Sequence, residues 1–204
     1  MGTEVQAPRL LLLYGGGRRG GLCQHLFGFA QRELEARGVE VRATDLLADG
    51  FDPVLRLEEG ERHATACDPE REPLVARYQE DVRWAERLVV VHPVWWFAPP
   101  AILKGWVDRV LVDGVALEQR EGTPPRGLLA GRRMLVVQTF NTNRAVARLT
   151  FGGAAGAFWK RVVGLPVGIE RTKRLALYSV ESLDEDRLRR FERRLARGLA
   201  SLVG

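Results

Sequence analysis

The chain has 204 residues, 46% of them apolar and 28% charged, enough to bury a core and unlike disordered, collagen-like or mucin-like chains. Its formal net charge of +5 comes almost wholly from arginines scattered beside Asp and Glu, a solvated surface leaning toward anionic ligands. No nucleic acid partner is expected, because no basic tract with interleaved aromatics is present. The longest apolar runs, Leu10 to Tyr14 and Leu88 to Val91, fall far short of the ~20 residues of a membrane span. The N-terminus lacks the basic cluster and cleavage site of a signal peptide, and Cys23 and Cys67 form no CxxC pattern. A cytoplasmic protein with no disulfide and no metal site is the expectation.

The first predicted strand, Leu10 to Tyr14, runs into the glycine-rich stretch Gly15 to Gly21. A helix follows with Leu22, Leu26, Phe29, Ala30 and Leu34 on one face, ended by Gly38. Val39 to Thr44 reads as the second strand. A long polar stretch, Asp49 to Pro73, then precedes a helix from about Leu74 to Glu86. Leu88 to His92 is a near-continuous apolar run, as expected of a central strand buried on both faces. After the Pro93 to Ala98 loop, Pro99-Pro100 opens a helix in the first-turn position, with Ile102, Trp106, Val107, Val110 and Leu111 at helical spacing. Met134 to Gln138 is the fourth strand, Ala155 to Val163 a helix, and Leu175 to Ser179 the fifth strand. Ser182 or Asp184 can cap a last helix.

Strands alternating with helices predict an α/β three-layer sandwich with a five-stranded parallel sheet of flavodoxin-like order 2-1-3-4-5. Ligands then bind outside the carboxyl ends of the strands, where the loops Gly15 to Gly21, Pro93 to Ala98 and Thr139 to Arg144 converge. Five glycines before a helix N-terminus let backbone approach a phosphate, and Arg18 and Arg19 can add charge-assisted bonds. The stretch also satisfies GxGxxG through Gly15, Gly17 and Gly20, with Asp45 at a ribose-binding distance, so a nicotinamide-only Rossmann dehydrogenase is an alternative. No Tyr-x-x-x-Lys accompanies it, since Tyr14, Tyr78 and Tyr178 are followed four residues on by Arg18, Val82 and Ser182. Cys23 has no neighbouring His or second Cys and reads as a small packed side chain.

The most informative stretch is His92-Pro93-Val94-Trp95-Trp96-Phe97-Ala98-Pro99-Pro100-Ala101-Ile102-Leu103-Lys104-Gly105-Trp106-Val107-Asp108-Arg109-Val110. Three consecutive aromatics past a buried strand cannot all face one core, and a flat apolar ligand such as an isoalloxazine ring would use them. This segment resembles the flavodoxin-like NAD(P)H:quinone oxidoreductases, whose pattern after the third strand is roughly F-P-L-x-W-F-x-x-P-A-x-L-K-G-W-x-D-R-V. The order of elements is similar over nearly the whole of residues 1–204, read as a single domain.

The resemblance implies a flavin-dependent oxidoreductase passing hydride from NAD(P)H, through flavin N5, to a quinone or similar flat acceptor by ping-pong exchange. It implies a homodimer; FMN is preferred because no motif for an adenine pocket can be named, with FAD possible if Asp49 to Pro73 builds one. By the same likeness Pro93, Val94, Trp95, Trp96 and Phe97 wall the flavin, and Gly20, Gly21, Leu22 and Cys23 take its phosphate beside Gly16 and Arg18. Thr139, Phe140, Asn141 and Asn143 stand where many members carry T-T-G-G against the pyrimidine edge, and only Thr139 is kept. Gly16 replaces the usual first-loop His, while Ala147 and Gly153 stand where some quinone reductases place Tyr and His. No catalytic side chain is therefore assigned. A non-catalytic flavoprotein subunit regulating a transporter remains a further alternative.

Overall fold

The computed structural model describes residues 8–17, 19–57, 64–150 and 152–204. Arg18 and His63 thus lie outside the described residues. The first half runs β1 (Arg9–Tyr14), α1 (Leu22–Glu35), β2 (Glu40–Asp45), α2 (Pro73–Trp84), β3 (Arg87–Pro93) and α3 (Ala101–Val110). The second half runs β4 (Leu117–Arg120), β5 (Thr123–Gly127), β6 (Arg133–Thr139), α4 (Arg144–Leu149), α5 (Ala154–Ala157), β7 (Arg171–Leu177) and α6 (Glu185–Val203). A π-helical turn, Phe158–Gly164, continues α5, and a 3-10 turn, Val180–Ser182, precedes α6. Among the described residues no helix is long and apolar enough to cross a membrane.

Five strands form one parallel sheet in the order β2-β1-β3-β6-β7, which is the predicted 2-1-3-4-5 once the separate β4-β5 ribbon is set aside. The alternation of apolar side chains along the central strands explains the two covering layers. Leu11, Leu13, Val90 and Val136 face a cluster that includes Val82, Trp106 and Trp159. Leu10, Leu12, Val89, Val91 and Leu135 face Leu26 and Leu34 of α1 and Leu195 and Leu199 of α6. Each such side chain contributes about 1.5–3 kcal/mol on burial, so the sheet centre is the most strongly held part of the fold.

Four departures from the predicted elements have physical causes. Strand β7 is set earlier than Leu175 to Ser179, because Arg171, Lys173 and Arg174 lie on a sheet edge where charge is tolerated, while Ser179 turns out of the strand at φ +53°. The β4-β5 ribbon contains Pro124 and Pro125, which read as breakers but fit a two-stranded ribbon. Pro100 is the N-cap of α3 rather than a first-turn residue. Helix α4 is entered through Asn143, whose side chain accepts from Val146 N–H at 2.9 Å. The last helix is capped by Asp184, which accepts from the Arg187 N–H at 2.7 Å.

The Lys104-Gly105-Trp106-Val107-Asp108-Arg109 run is architectural. Lys104 pairs with Asp108 one turn away, Trp106 is buried, and Arg109 donates to the Asp52 carbonyl and to Glu72. Gly105 lies against the Pro53 backbone, where an added Cβ would sit 2.5 Å from Pro53 Cα. Gly28 in α1 instead faces only the flexible end of Arg32, at 3.3 Å. Urea unfolding should therefore find Gly105→Ala destabilised by about 1–3 kcal/mol and Gly28→Ala stabilised by about 0.5–1 kcal/mol.

Candidate active site

Three loops leave the carboxyl ends of β1, β3 and β6 and touch one another there. Gly17 packs so closely on the Trp95 indole that an added Cβ would overlap it. Val94 N–H donates to the Thr139 carbonyl at 2.9 Å, tying the β3 loop to β6. Cys23 Sγ and Thr139 Oγ1 are 3.0 Å apart, tying α1 to β6. The predicted convergence of the three loops is what the chain builds.

The aromatic loop is a tight hairpin. Trp95 N–H donates to Ala98 O at 3.1 Å, Ala98 N–H donates to Trp95 O at 2.9 Å, and Trp96 and Phe97 between them have φ +48° and +57°. Positive φ at both central positions is the I′ pattern, normally filled by Asn-Gly. Two bulky residues there are strained by ~1–3 kcal/mol each, strain that clusters at functional sites. Trp96 at the tip is 98% exposed and Trp95 50%, while Phe97 turns inward and packs on Phe140, Ala147 and Ala155.

A cleft of about 280 Å³ opens beside this turn, walled by Pro93 to Phe97 on one side and by Thr139 to Thr142 on the other. Thr142, which sequence reasoning did not single out, lines it. Asn143 does not, because its side chain caps α4. The Asn141 side chain donates to Glu181 at 2.9 Å. Phe140 is buried and stacked on Tyr178, with ring centroids 4.7 Å apart. Tyr178, tested in the sequence only for a following Lys, is not assigned a site role there, since a lone Tyr at the end of a charged edge strand carries no pattern.

The glycine loop and the start of α1 do not line this cleft but touch its walls through Gly17 on Trp95 and Cys23 on Thr139, and that start is a backbone cradle. Gly20 is at φ +68°, Gly21 is the N-cap, and no side chain caps the helix. Gly20 N–H donates to Gln24 Oε1 at 2.5 Å. Gly16 lies under the Tyr14 hydroxyl, with no room for a Cβ. Burial, followed by the neighbouring Cys23 and Asp45, pushes the Tyr14 hydroxyl up to about 12. Burial likewise pushes the Cys23 thiol up to about 11, against the Thr139 hydrogen bond, so it is a neutral packed group at neutral pH. Asp45 accepts from Leu47 and Ala48 N–H at 3.1 Å each, which closes its own turn. That use, with a sheet order other than 3-2-1-4-5-6, removes the nicotinamide-only Rossmann alternative.

His92 is fully buried behind the aromatic loop. Its Nε2 is 2.8 Å from Trp159 Nε1, and an indole N–H only donates, so Nε2 accepts and Nδ1–H donates to the Pro93 carbonyl at 2.7 Å. His92 and Trp159 therefore brace the root of the turn, and Trp159 is part of the core. Gln138 Nε2 completes the group, 3.2 Å from His92 Nε2 and donating to Ala155 O at 3.1 Å.

A family model described as a flavodoxin-like fold matches residues 8–198, and the chain belongs to that family. It is 31% identical over 112 residues to an Escherichia coli (strain K12) protein named as an uncharacterized NAD(P)H oxidoreductase, covering 55% of this chain and 57% of that protein. It is also 31% identical over 119 residues to the FMN-dependent NADH:quinone oxidoreductase of Shewanella loihica, covering 56% of this chain and 59% of that one. The alignments thus span little more than half the length of these relatives. Among solved structures, Smu.1420 from Streptococcus mutans UA159 superposes with a TM-score of 0.80 at 26% identity, covering 95% of this chain and 99% of that one.

Burial, partly offset by the Pro93 hydrogen bond, holds the His92 pKa down to about 4, below its ordinary 6.5. The unfolded chain then binds the proton more readily, so His92's contribution is complete above pH 6.5 and is lost as pH falls toward 4. Urea titrations at pH 7 and pH 5 should find the wild type losing on the order of 1–2 kcal/mol more than His92→Gln over that interval.

Proposed function

We propose that the chain is a flavin-dependent NAD(P)H oxidoreductase that reduces quinones or similarly flat acceptors. The observation that carries this reading is the strained Trp95 to Ala98 hairpin, whose rings wall a cleft joined to the start of α1 through the Gly17–Trp95 and Cys23–Thr139 contacts. A planar ring with an anionic tail meets both chemistries at once. The residues fit such a group by a simple test: Gly16 and Gly17 let Tyr14 and Trp95 pack directly on the glycine loop, while Gly20 has open space beside it and Gly21 leaves the start of α1 without a capping side chain. FMN is preferred to FAD, in line with the name of the Shewanella relative.

When bound, the flavin supplies the hydride-accepting and hydride-donating chemistry. The chain's own residues bind and orient. Pro93, Val94, Trp95, Trp96 and Phe97 would hold the ring plane, Asn141 would present its backbone N–H to the polar edge beside Thr139 and Phe140, whose own N–H is held by the Leu177 carbonyl, and Gly21, Leu22 and Cys23 would receive the phosphate through main-chain amides beside Gly16 and Gly20. His92 and Trp159 hold the turn's root so that the wall does not shift between substrates. With no ionisable side chain among the cleft-lining residues, no protein acid or base is assigned to the transfer. One open cleft serving both substrates requires that the first leave before the second binds.

Exposed Leu149, Val162 and Leu165, together with Trp96, support a homodimer, and a cytoplasmic location fits the same reading. The purified protein should be yellow and bind about one FMN per chain, with parallel double-reciprocal lines for NADH and a quinone. Gly17→Val and Trp95→Ala should each weaken FMN binding by roughly tenfold or more, measured by flavin fluorescence quenching. A colourless protein that takes up neither FMN nor FAD would end this reading.

A further inference from the structure

A second cavity, about 190 Å³, adjoins the cleft and shares Phe97 and Phe140 with it. Small residues make the room: Ala147 and Ala155 are buried at its floor, and Gly152 and Gly153 turn past it at φ +57° and +71°. Three guanidinium side chains line it, those of Arg144, Arg148 and Arg174, and none of its lining residues is acidic.

The arginines are presented by separate pieces of rigid structure. Arg144 and Arg148 stand one turn apart on α4, whose start is fixed by the Asn143 cap, so both project from one helix face. Arg174 comes from β7 and is held by two neutral groups, donating to Gln138 Oε1 at 3.4 Å and to the Tyr178 hydroxyl at 3.1 Å. Neither Arg144 nor Arg148 forms an ion pair or hydrogen bond through its side chain among the described residues. The carboxylate on the neighbouring turn, Glu181, bonds Asn141 instead. Like charges gathered on one small concavity repel, and an anion entering it relieves that repulsion while accepting charge-assisted hydrogen bonds.

We infer that this cavity is an anion subsite of the active site, so that the flat molecule entering the cleft carries a negatively charged group held by Arg144, Arg148 and Arg174. The inference rests on the functional reading above and names its substrate class. The charge has two chemical sources: a sulfonate or carboxylate attached to the acceptor ring, or a phosphate of the reduced dinucleotide. Both use the same guanidinium chemistry.

The test compares the flavin-loaded wild type with the Arg144→Gln/Arg148→Gln double variant, with flavin content read from absorbance in the same samples. Titration calorimetry with anthraquinone-2-sulfonate should find affinity roughly tenfold weaker in the variant, and the wild-type affinity should fall with added salt. In turnover with the phosphate-free donor 1-benzyl-1,4-dihydronicotinamide, the ratio of kcat/KM for the sulfonated quinone to that for 1,4-benzoquinone should fall by a similar factor. If the loss instead follows NADH and NADPH whichever quinone is used, the dinucleotide is the source of the charge and the subsite stands. Unchanged binding and unchanged ratios for every probe overturn it. A protein that takes up no flavin yet loses sulfonate affinity in the variant would sink the oxidoreductase reading and leave the anion subsite in place.

Discussion

The contact between the Trp95 indole and the Cα of Gly17 joins the two halves of the candidate site. It sets the spacing between an aromatic hairpin with both central residues at positive φ and a glycine loop that leads into an uncapped helix. A side chain at position 17 would push the indole away, and a relaxed hairpin would turn the rings toward other partners. The sheet underneath makes the contact durable. Strands β1 and β3 are neighbours paired in parallel from Leu10–Arg87 to Tyr14–Val91, and β3 runs two residues further to Pro93, so the two loops leave adjacent strand ends.

Strain in the hairpin needs a scaffold that over-determines it. Buried His92 supplies part of that scaffold through Pro93, and Val94 supplies another part through Thr139. Both bonds lie at the root of the turn, leaving Trp96 at its tip almost wholly exposed. The arrangement separates holding from presenting, and it explains how two large aromatics persist where Asn-Gly would be the relaxed choice.

Much of the fold was legible in the sequence because the central strands are uniform apolar runs. Leu10 to Tyr14, Leu88 to His92 and Met134 to Gln138 leave little choice but a sheet covered on both faces, and the 2-1-3-4-5 order follows from its connections. Edge strand β7 was misplaced because its burial is partial and its charges hide the pattern. The β4-β5 ribbon was missed because prolines signal turns before they signal strands. At the site, the stretch that carries the resemblance divides by role: Pro93 to Phe97 wall the cleft, while Lys104 to Arg109 brace α3 and the Pro53 loop. Asn143, expected at the flavin edge because its loop follows the fourth strand where many family members have T-T-G-G, caps α4, and Thr142 and Tyr178 carry no local signal. Cap geometry and ring stacking depend on three-dimensional neighbours that no local pattern encodes.

The central claim is that a planar cofactor lies in the cleft between the Trp95 to Ala98 hairpin and the Thr139 to Thr142 loop, with its anionic end at the start of α1. Its most direct test is a crystal structure of the protein grown with FMN. The account predicts ring density against Pro93 to Phe97, with phosphate density within hydrogen-bond reach of the main-chain amides of Gly21 to Cys23. Flavin density elsewhere on the molecule, or the cleft closed over by its own side chains at saturating FMN, would contradict it.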